Sequence, residues 1–486
     1  YRYYCTRTHS IMNKIKIPDF LSSMNGIFKS SGFKAYLVGG AVRDMLMKKT
    51  PSDFDLATDA KPEDVMRLFR RVIPTGISHG TVTVLFQNHE VEVTTFRAES
   101  SYSDGRHPDS ISFASTIEED LSRRDFTMNA IAVSLDGNGI VDPFGGEKDI
   151  KAKLIRTVGN PEERFSEDGL RPVRAIRFAS RLNFKIDKDT LNAVSEPEIL
   201  AVTKKVSAER FRDEFVKMLD SEKPSDALKL LEASGILSIF IPELSECRGC
   251  IQKDARGNHD FDVADHLFYS TDGAPKDKLN VRLAALFHDI GKPASKTVEI
   301  SGGENIIHFY NHEKYSAEIA RTILTRLKFP NSVIDNVCHL ILNHMFHYEP
   351  DWKDSAVRRF LVRVKPENVE DLFDLRIADM YGMHNVPVRL HDSPAVALLL
   401  EFKERIKKCE CEKNVLNLKE LAINGNDIIS LGIPKGKKVG FILGELFNTV
   451  LDDPQQNTRE KLLWLRSLLP LTVASLIKSE HETDGK

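Results

Sequence analysis

Asp53 and Asp55 stand two apart in the string Ser52-Asp-Phe-Asp-Leu-Ala-Thr58, with Phe54 and Leu56 alternating against them. In an extended strand, side chains two apart share a face. Both carboxylates would then project together and could hold a pair of Mg²⁺ ions through hard oxygen ligands. Just upstream lies Leu37-Val-Gly-Gly-Ala-Val-Arg-Asp44. Its apolar run, Ala35 to Val38, reads as a strand. Gly39 and Gly40 let the backbone turn and bring N–H groups close to a phosphate, and a helix opening near Ala41 would add its positive end. A phosphate turn followed by a carboxylate pair suits two-metal in-line displacement, one ion activating a hydroxyl and the other stabilising a leaving pyrophosphate. The bland alternative for the acids is a surface turn capping the next helix; the order of the two motifs argues against it.

Further polar residues fit the same chemistry. Glu92, between Val91 and Val93, could reach the face of the acid pair as a third metal ligand or a base; an exposed strand glutamate is the competing reading. In Arg123-Arg-Asp-Phe-Thr-Met-Asn-Ala130, Arg124 could bind phosphate and Asp125 could accept a ribose hydroxyl, with Asn129 one helical turn further on. In Ser166-Glu-Asp-Gly-Leu-Arg-Pro-Val-Arg174, Asp168 and Arg171 are three apart. On one helix their side chains could converge on one ligand, an acceptor carboxylate beside a two-donor guanidinium imitating a Watson–Crick edge. A helical salt bridge is the alternative. Arg171, Arg174, Arg177, Arg181 and Lys185 place most of their charge on one helical face, a candidate RNA-contacting patch or plain solvated surface.

These residues need a mixed scaffold. Between Ala35 and Arg156, strand-like runs at Thr81–Phe86, Val91–Phe96 and Ile131–Ser134 alternate with helical ones. After Pro161 the pattern turns helical, with amphipathic helices expected over Phe165–Leu182, Ser207–Leu219 and Ala227–Leu237. The fold class expected is an α/β head, a mixed sheet with helices, followed by all-α neck, body, His/Asp-rich and tail domains. The expected boundaries are 1–32 for an N-terminal lead and helix, 33–156 for the head, 157–261 for a helical neck and body, 262–383 for a His/Asp-rich module and 384–486 for a helical tail. Met12 is the expected start, with Tyr1–Ile11 upstream of it.

Composition bounds the setting. The chain has 486 residues, net charge −3 and 29% charged residues, so any nucleic-acid contact must come from local patches rather than bulk charge. Six scattered cysteines argue for reduced thiols and cytoplasm. The pairs Cys247/Cys250 and Cys409/Cys411 offer a weak zinc alternative. No apolar run has membrane-spanning length.

Taken together, these strings resemble the class II tRNA nucleotidyltransferase and bacterial poly(A) polymerase family of the DNA polymerase β superfamily. The likeness runs from Phe33 to Leu219 and includes Gly80-Thr-Val82, Asp142-Pro-Phe-Gly-Gly146 and Ser207-Ala-Glu-Arg-Phe-Arg-Asp-Glu214, in the family's order. The resemblance implies template-independent addition of C, C and A to tRNA from CTP and ATP. It implies that Asp53 and Asp55 hold Mg²⁺ with Glu92 beside them, and that Asp168 and Arg171 read the base. Gly39, Gly40, Arg43, Arg124, Asp125, Asn129 and Arg174 would complete the nucleotide site. The loop around Gly105 and Arg106 is similar to the element that switches the family from C to A addition. The stretch Pro74–Gly80 lacks the arginine-rich string of the poly(A) branch, which favours tRNA; A-only addition and poly(A) synthesis are the alternatives. Gly169 stands where the family commonly has Pro, and Pro172 follows the base-reading arginine; a proline inside a helix would kink it.

A second string, Leu283-Ala-Ala-Leu-Phe-His-Asp-Ile-Gly-Lys-Pro293, resembles the core of the HD phosphohydrolase superfamily. The resemblance implies a core site of His266, His288, Asp289 and Asp379, with His312 and His344 completing a second metal position; His339 lies on the same later stretch. Imidazole and carboxylate ligands suit Mg, Mn, Ni or Fe. Core or surface histidines of a helical body are the alternative. An intact set implies phosphodiesterase or phosphatase activity, for example on 2′,3′-cyclic or 3′-phosphate RNA ends. In the tail, Lys435, Lys437 and Lys438 around Gly436 could meet RNA phosphates. No membrane partner is expected, and sequence leaves oligomeric state open.

Overall fold

The computed structural model describes residues 15–98, 113–136, 139–252, 260–301, 304–388, 393–411 and 416–468. The loop Tyr102–Pro108, with Gly105 and Arg106, and the segment Tyr1–Ile11 lie outside the described residues. The chain divides into two compact units, residues 1–250 with 322–331, and residues 251–321 with 332–486. Among the described residues no helix is long and apolar enough to cross a membrane.

The first unit is built on a seven-stranded sheet of β1 (Ala35–Val38), β2 (Phe54–Thr58), β3 (Val72–Gly76), β4 (Thr81–Phe86), β5 (His89–Thr95), β6 (Ala132–Ser134) and β7 (Ile140–Val141). Their spatial order is β3-β4-β5-β2-β1-β6-β7. All neighbours run antiparallel except β2 and β5, which are parallel, so the sheet is mixed as expected. Fully buried Leu37, Leu56, Val82, Val84, Val91 and Val133 supply its core. The pairing sets Asp55 of β2 opposite Val38 of β1 and Glu92 of β5. β3 escaped the sequence reading because Val72-Ile-Pro-Thr-Gly76 carries a proline and pairs with a register shift.

After the sheet come helices Pro161–Glu167, Leu170–Leu182 and Ala208–Leu219. The single helix expected over Phe165–Leu182 is in fact two. Asp168 adopts φ −144°, ψ 110°, which ends the first, and Gly169 starts the second. A Cβ on Gly169 would fall 2.6 Å from the Val202 carbonyl oxygen. A proline there is therefore excluded by the backbone that crosses it, although φ −60° would suit one. Pro172 lies in the first turn of its helix, where an N–H has no intrahelical acceptor, so the expected kink is absent.

The second unit is helical around the pair Val263–Gly273 and Val369–His384. Two glycines let these helices approach closely. A Cβ on Gly382 would lie 2.0 Å from Ser270 Oγ and 2.8 Å from the His266 carbonyl, and one on Gly273 would lie 2.6 Å from Tyr381 Cβ. One departure from the all-α expectation is an antiparallel hairpin, Lys296–Ser301 with Glu304–Phe309. The tail packs Ile428, Leu446, Val450 and Leu462 into a core of its own, with Lys435, Lys437 and Lys438 exposed beside it.

Candidate functional site

In the first unit the chain makes a polar cavity of about 430 Å³ lined by Asp55, Glu92, Asp125, Asp168, Arg171 and Arg174, among others. Arg97, Arg123, Arg124 and Arg210 add four further guanidinium groups to its wall. Gly39 is in the left-handed region, φ 70°, and a Cβ there would meet Arg124 Nη1 at 3.2 Å and Asp55 Oδ2 at 3.5 Å. The glycine thus admits a cation and a carboxylate to the same spot. The helix it opens, Gly40–Leu46, is only two turns long, so the exposed N–H groups of the turn matter more than an accumulated dipole.

Asp55 is half-buried at the heart of this region. Burial, the neighbouring Glu92 and Asp53 push its carboxyl up against the pull of Arg124, to about 6. A group so placed gains from a bound cation. Asp53 precedes β2, is exposed, and accepts a hydrogen bond from the Ser52 hydroxyl at 3.0 Å.

Asp125 is buried and accepts Arg174 Nε and Nη2 on one oxygen, at 2.9 and 2.7 Å, and Asn129 Nδ2 on the other at 3.1 Å. Burial opposes its charge, but Arg174 and Asn129 outweigh it and hold its pKa at about 2. Arg43 donates to Asn129 Oδ1 at 3.0 Å and to Asp44. Arg43 and Asn129 therefore stand behind the cavity wall and hold Asp125 and Arg174 in place. Asn129 sits on a 3-10 turn, Thr127–Asn129, not on the α-helix expected.

Asp168 and Arg171 do not share one helix as expected, because the chain breaks between two helices at Asp168, and the alternative salt bridge between them does not form either. Asp168 instead accepts Arg210 Nη2 at 2.7 Å and the Leu170 N–H at 3.0 Å. Arg171 pairs with Glu167 and donates to the carbonyls of Arg164 and Arg123, at 2.8 and 3.2 Å. Both still line the cavity. The expected basic face is also corrected: Arg174 pairs with Asp125, Arg177 with Glu214 and Arg181 with Asp220, while Lys185 belongs to a short strand.

Sequence reasoning missed two residues here. Fully buried Asp120 takes Arg123 Nη2 at 2.6 Å and Arg124 Nη2 at 3.1 Å, and so aims both arginines. Its spacing of three and four from them was the available signal. Arg210, which fixes Asp168, lies in the quoted string Ser207–Glu214, but nothing there pointed to Asp168, forty-two residues earlier.

In the second unit, His266, His288, Asp289, His312, His344 and Asp379 converge, all buried. His266 and His288 Nε2 are 3.1 Å apart, and each lies 3.3 to 3.5 Å from Asp289 Oδ2 and Asp379 Oδ1. Asp289 Oδ1 faces His312 Nε2 at 3.2 Å and His344 Nε2 at 3.7 Å. Ligand bonds of about 2.1 Å place neighbouring donors roughly 3.0 to 3.4 Å apart, so the set fits divalent metal. Two overlapping groups arise, His266/His288/Asp379 and His288/Asp289/His344.

The rings are pre-aimed. His288, His312 and His344 each turn Nδ1 to the carbonyl three residues earlier, at 2.9, 2.8 and 2.7 Å, which points Nε2 inward. Metal-binding histidines are oriented in this way. Burial lowers the basicity of His288, but Asp289 and Asp379 prevail and raise its pKa to about 10. Burial and the charge of His288 push His344 down to about 3. Asp289 and Asp379 are held well below the usual carboxylate range, against burial, by Lys292 and these histidines.

His339 is no part of the cluster; its Nε2 bonds the Val364 carbonyl at 2.7 Å. Lys292, 2.6 Å from Asp289, and Arg376, 2.9 Å from Asp379, were missed although each lies three residues from its acid. Among the described residues Cys247, Cys250, Cys338, Cys409 and Cys411 form no disulfide, and Cys247 donates to the Glu243 carbonyl.

The mixed sheet carrying paired acids beside an arginine-lined cavity defines a nucleotidyltransferase, and the second cluster defines an HD domain. Residues 35–156 match the model of the poly A polymerase head domain, 183–247 that of a probable RNA and SrmB- binding site of polymerase A, and 256–383 that of the HD domain. The CCA-adding enzyme of Enterococcus faecalis is 34% identical over 435 residues, covering 89% of this chain and 92% of that protein. The CCA-adding enzyme of Lactobacillus helveticus is 50% identical over 206 residues, 42% of this chain and 51% of that one, so the chain spans about half its length. The crystal structure of the Bacillus stearothermophilus CCA-adding enzyme in complex with CTP matches with a TM-score of 0.68 at 29% identity, over 92% of this chain and 96% of that one. The chain belongs to the CCA-adding enzyme family. Both domain classes generally use divalent metals.

Proposed function

We propose that this protein adds C, C and A to the 3′ end of tRNA, taking CTP and ATP as substrates without a nucleic-acid template. The observation that carries this reading is one cavity joining Asp55 and Glu92 to Asp168, Arg171 and Arg174. Mg²⁺ held by Asp53 and Asp55 would supply Lewis acidity toward the attacking hydroxyl and the leaving pyrophosphate. In the transfer, a bond forms between the 3′ oxygen and the α-phosphorus as the bond to pyrophosphate breaks, and the hydroxyl proton passes to a carboxylate. Glu92, register partner of Asp55, is placed to take it.

The remaining residues bind and orient. Gly39 and Gly40 offer backbone N–H groups, and Arg124, aimed by Asp120, offers charge to the triphosphate. Arg174, fixed by Asp125, and behind them Asn129 and Arg43, hold the sugar side. Asp168, at the break between two helices, and Arg171, in the first turn of the second, present acceptor and donor to the base, each held by a partner of its own. Lys435, Lys437 and Lys438 supply phosphate contacts on the tail, where duplex RNA is read by shape.

The test is gel-resolved extension of a tRNA transcript ending at the discriminator base, C or CC, with CTP, ATP or both. Addition of all three nucleotides is expected. Extension of the CC end alone, by one A, would mean an A-adding enzyme, and processive ATP addition to unstructured RNA a poly(A) polymerase.

The buried cluster favours a second activity, metal-dependent hydrolysis of phosphate esters such as 2′,3′-cyclic or 3′-phosphate RNA ends. A divalent ion (Mg, Mn, Ni or Fe) held by these six residues would provide the Lewis acid and the activated water. Lys292 and Arg376 supply charge for the phosphate.

A further inference from the structure

Arg97 lines the head cavity but is not among the groups that hold the nucleotide above. It lies two residues beyond β5, and both of its ends are fixed. Its backbone N–H donates to Asp120 Oδ1 at 3.2 Å, and its backbone pairs with Phe113 in an isolated antiparallel bridge. Its Nη2 donates to the Thr81 hydroxyl at 2.7 Å. Thr81 in turn shares a 3.0 Å hydrogen bond with the hydroxyl of Thr94, its register partner on β5. Both threonines line the same cavity. A guanidinium held at this many points is ready for a phosphate before the ligand arrives.

Position in the sheet separates this group from the residues that face the triphosphate. The glycine turn leaves β1, and there Gly39 admits Arg124 and Asp55 to one spot. Asp55 is on β2 and Glu92 on the neighbouring β5, and Thr94 and Thr81 face each other on β5 and β4. Thr94 is two residues from Glu92 and shares its face of the strand. The acids therefore lie between the glycine turn on one side and Thr94, Thr81 and Arg97 on the other. In an in-line displacement the attacking and leaving oxygens stand on opposite sides of the phosphorus. With the triphosphate at the glycine turn and Arg124, the attacking hydroxyl enters from the β4–β5 side. The RNA end that carries this hydroxyl brings with it the phosphodiester of its last nucleotide.

We propose that Arg97 binds that last phosphodiester of the RNA acceptor end, with Thr81 positioning its guanidinium. The inference rests on the nucleotide-addition reading above. It also gives Asp120 a second task. One buried carboxylate fixes Arg124 on the nucleotide side and the backbone of Arg97 on the acceptor side, so the two reactants are registered by a single group.

The experiment is steady-state addition of A by the full-length protein to a tRNA ending in CC. The tRNA is ligated from a synthetic 3′ segment whose last internucleotide linkage is either a phosphodiester or an uncharged methylphosphonate. In wild type the methylphosphonate should raise KM for the RNA about tenfold, the scale of a lost hydrogen bond to a charged group. Arg97→Ala should raise KM for the phosphodiester RNA by the same factor, leave KM for ATP within about twofold, and respond no further to the methylphosphonate. Arg97→Lys, which keeps the charge but not the fork, should recover part of the loss. Thr81→Val should raise KM for the phosphodiester RNA about threefold, and Thr81→Ser should behave as wild type. A methylphosphonate penalty as large in Arg97→Ala as in wild type overturns the inference, and so does a rise in KM for ATP in place of the RNA. Both results leave the nucleotide-addition reading intact. Failure of wild type to extend the phosphodiester tRNA overturns both.

Discussion

The head cavity and the HD cluster solve the same problem, holding charge where phosphorus chemistry occurs, in opposite ways. The HD cluster is closed: its six imidazole and carboxylate side chains are buried, three of the four rings are turned inward by backbone carbonyls, and the donor atoms stand at a spacing that fits a divalent ion. The head site is open, with Asp53 and Glu92 exposed and Asp55 held short of full acidity. A site that must admit successive nucleotides and a growing RNA end cannot be packed shut. The head places its rigidity in residues that fix other side chains instead, Asp125 and Arg210 on the wall and Asp120 and Asn129 behind it. The buried cluster invests its rigidity in the donor groups themselves, and the open nucleotide site in the residues that hold them.

The comparison predicts that the two sites fail independently. Asp55→Asn should reduce nucleotide addition on the order of 10³-fold and leave ester hydrolysis within about twofold, and His288→Ala should do the reverse. Both rates are read on one preparation of each variant, and joint loss would break the two-site picture.

Removing a holding residue should be nearly as harmful in the head as removing a ligand. Asp125→Ala leaves the partly exposed guanidinium of Arg174 with only Glu214, 3.8 Å away, as a carboxylate neighbour, a loss of about 1 to 3 kcal/mol, which calorimetric unfolding would register. The pH dependence follows from the same pair. The Asp125 pKa is depressed to about 2 in the folded chain, so its stabilisation is complete above the unfolded value near 4 and disappears as pH falls through about 2. Wild type should therefore lose stability over that window, and Asp125→Asn should lose less.

In the HD unit the vulnerable point is the backbone beneath the ligands. Gly382→Ala would drive a methyl group into Ser270 and the His266 carbonyl. The cost expected is about 1 to 3 kcal/mol of overpacking, with weaker metal binding in a calorimetric titration. Arg210→Ala should release Asp168 and blunt discrimination between CTP and ATP by about tenfold, with Arg210→Lys in between, since a lysine replaces the charge but not the fork. The smallest effect is expected at Pro172→Ala, within about 0.5 kcal/mol and with nucleotide choice unchanged, because a first-turn proline forgoes no hydrogen bond. Gly169→Pro should instead be poorly tolerated.

Much of this was legible in the residues themselves. Alternation in Asp53-Phe-Asp55, the glycine pair, the β4 run Thr81–Phe86 and the His288-Asp289 dipeptide are local signals, because strand period, turn chemistry and ligand type depend on near neighbours. What only the tertiary structure decided depends on distant ones. Asp168 and Arg171 look like helix neighbours in sequence. Yet the backbone of Val202 crosses close over Gly169 where the chain breaks between two helices, and the carboxylate of Asp168 turns to Arg210. The arginines of Leu170–Leu182 look like a basic face, but three of them turn to acids supplied by Asp125, Glu214 and Asp220. The sequence alone therefore determined which groups could do the chemistry. Packing decided which partner each charge would have, because a buried charge must be paired, and its partner is chosen by the fold rather than by spacing along the chain.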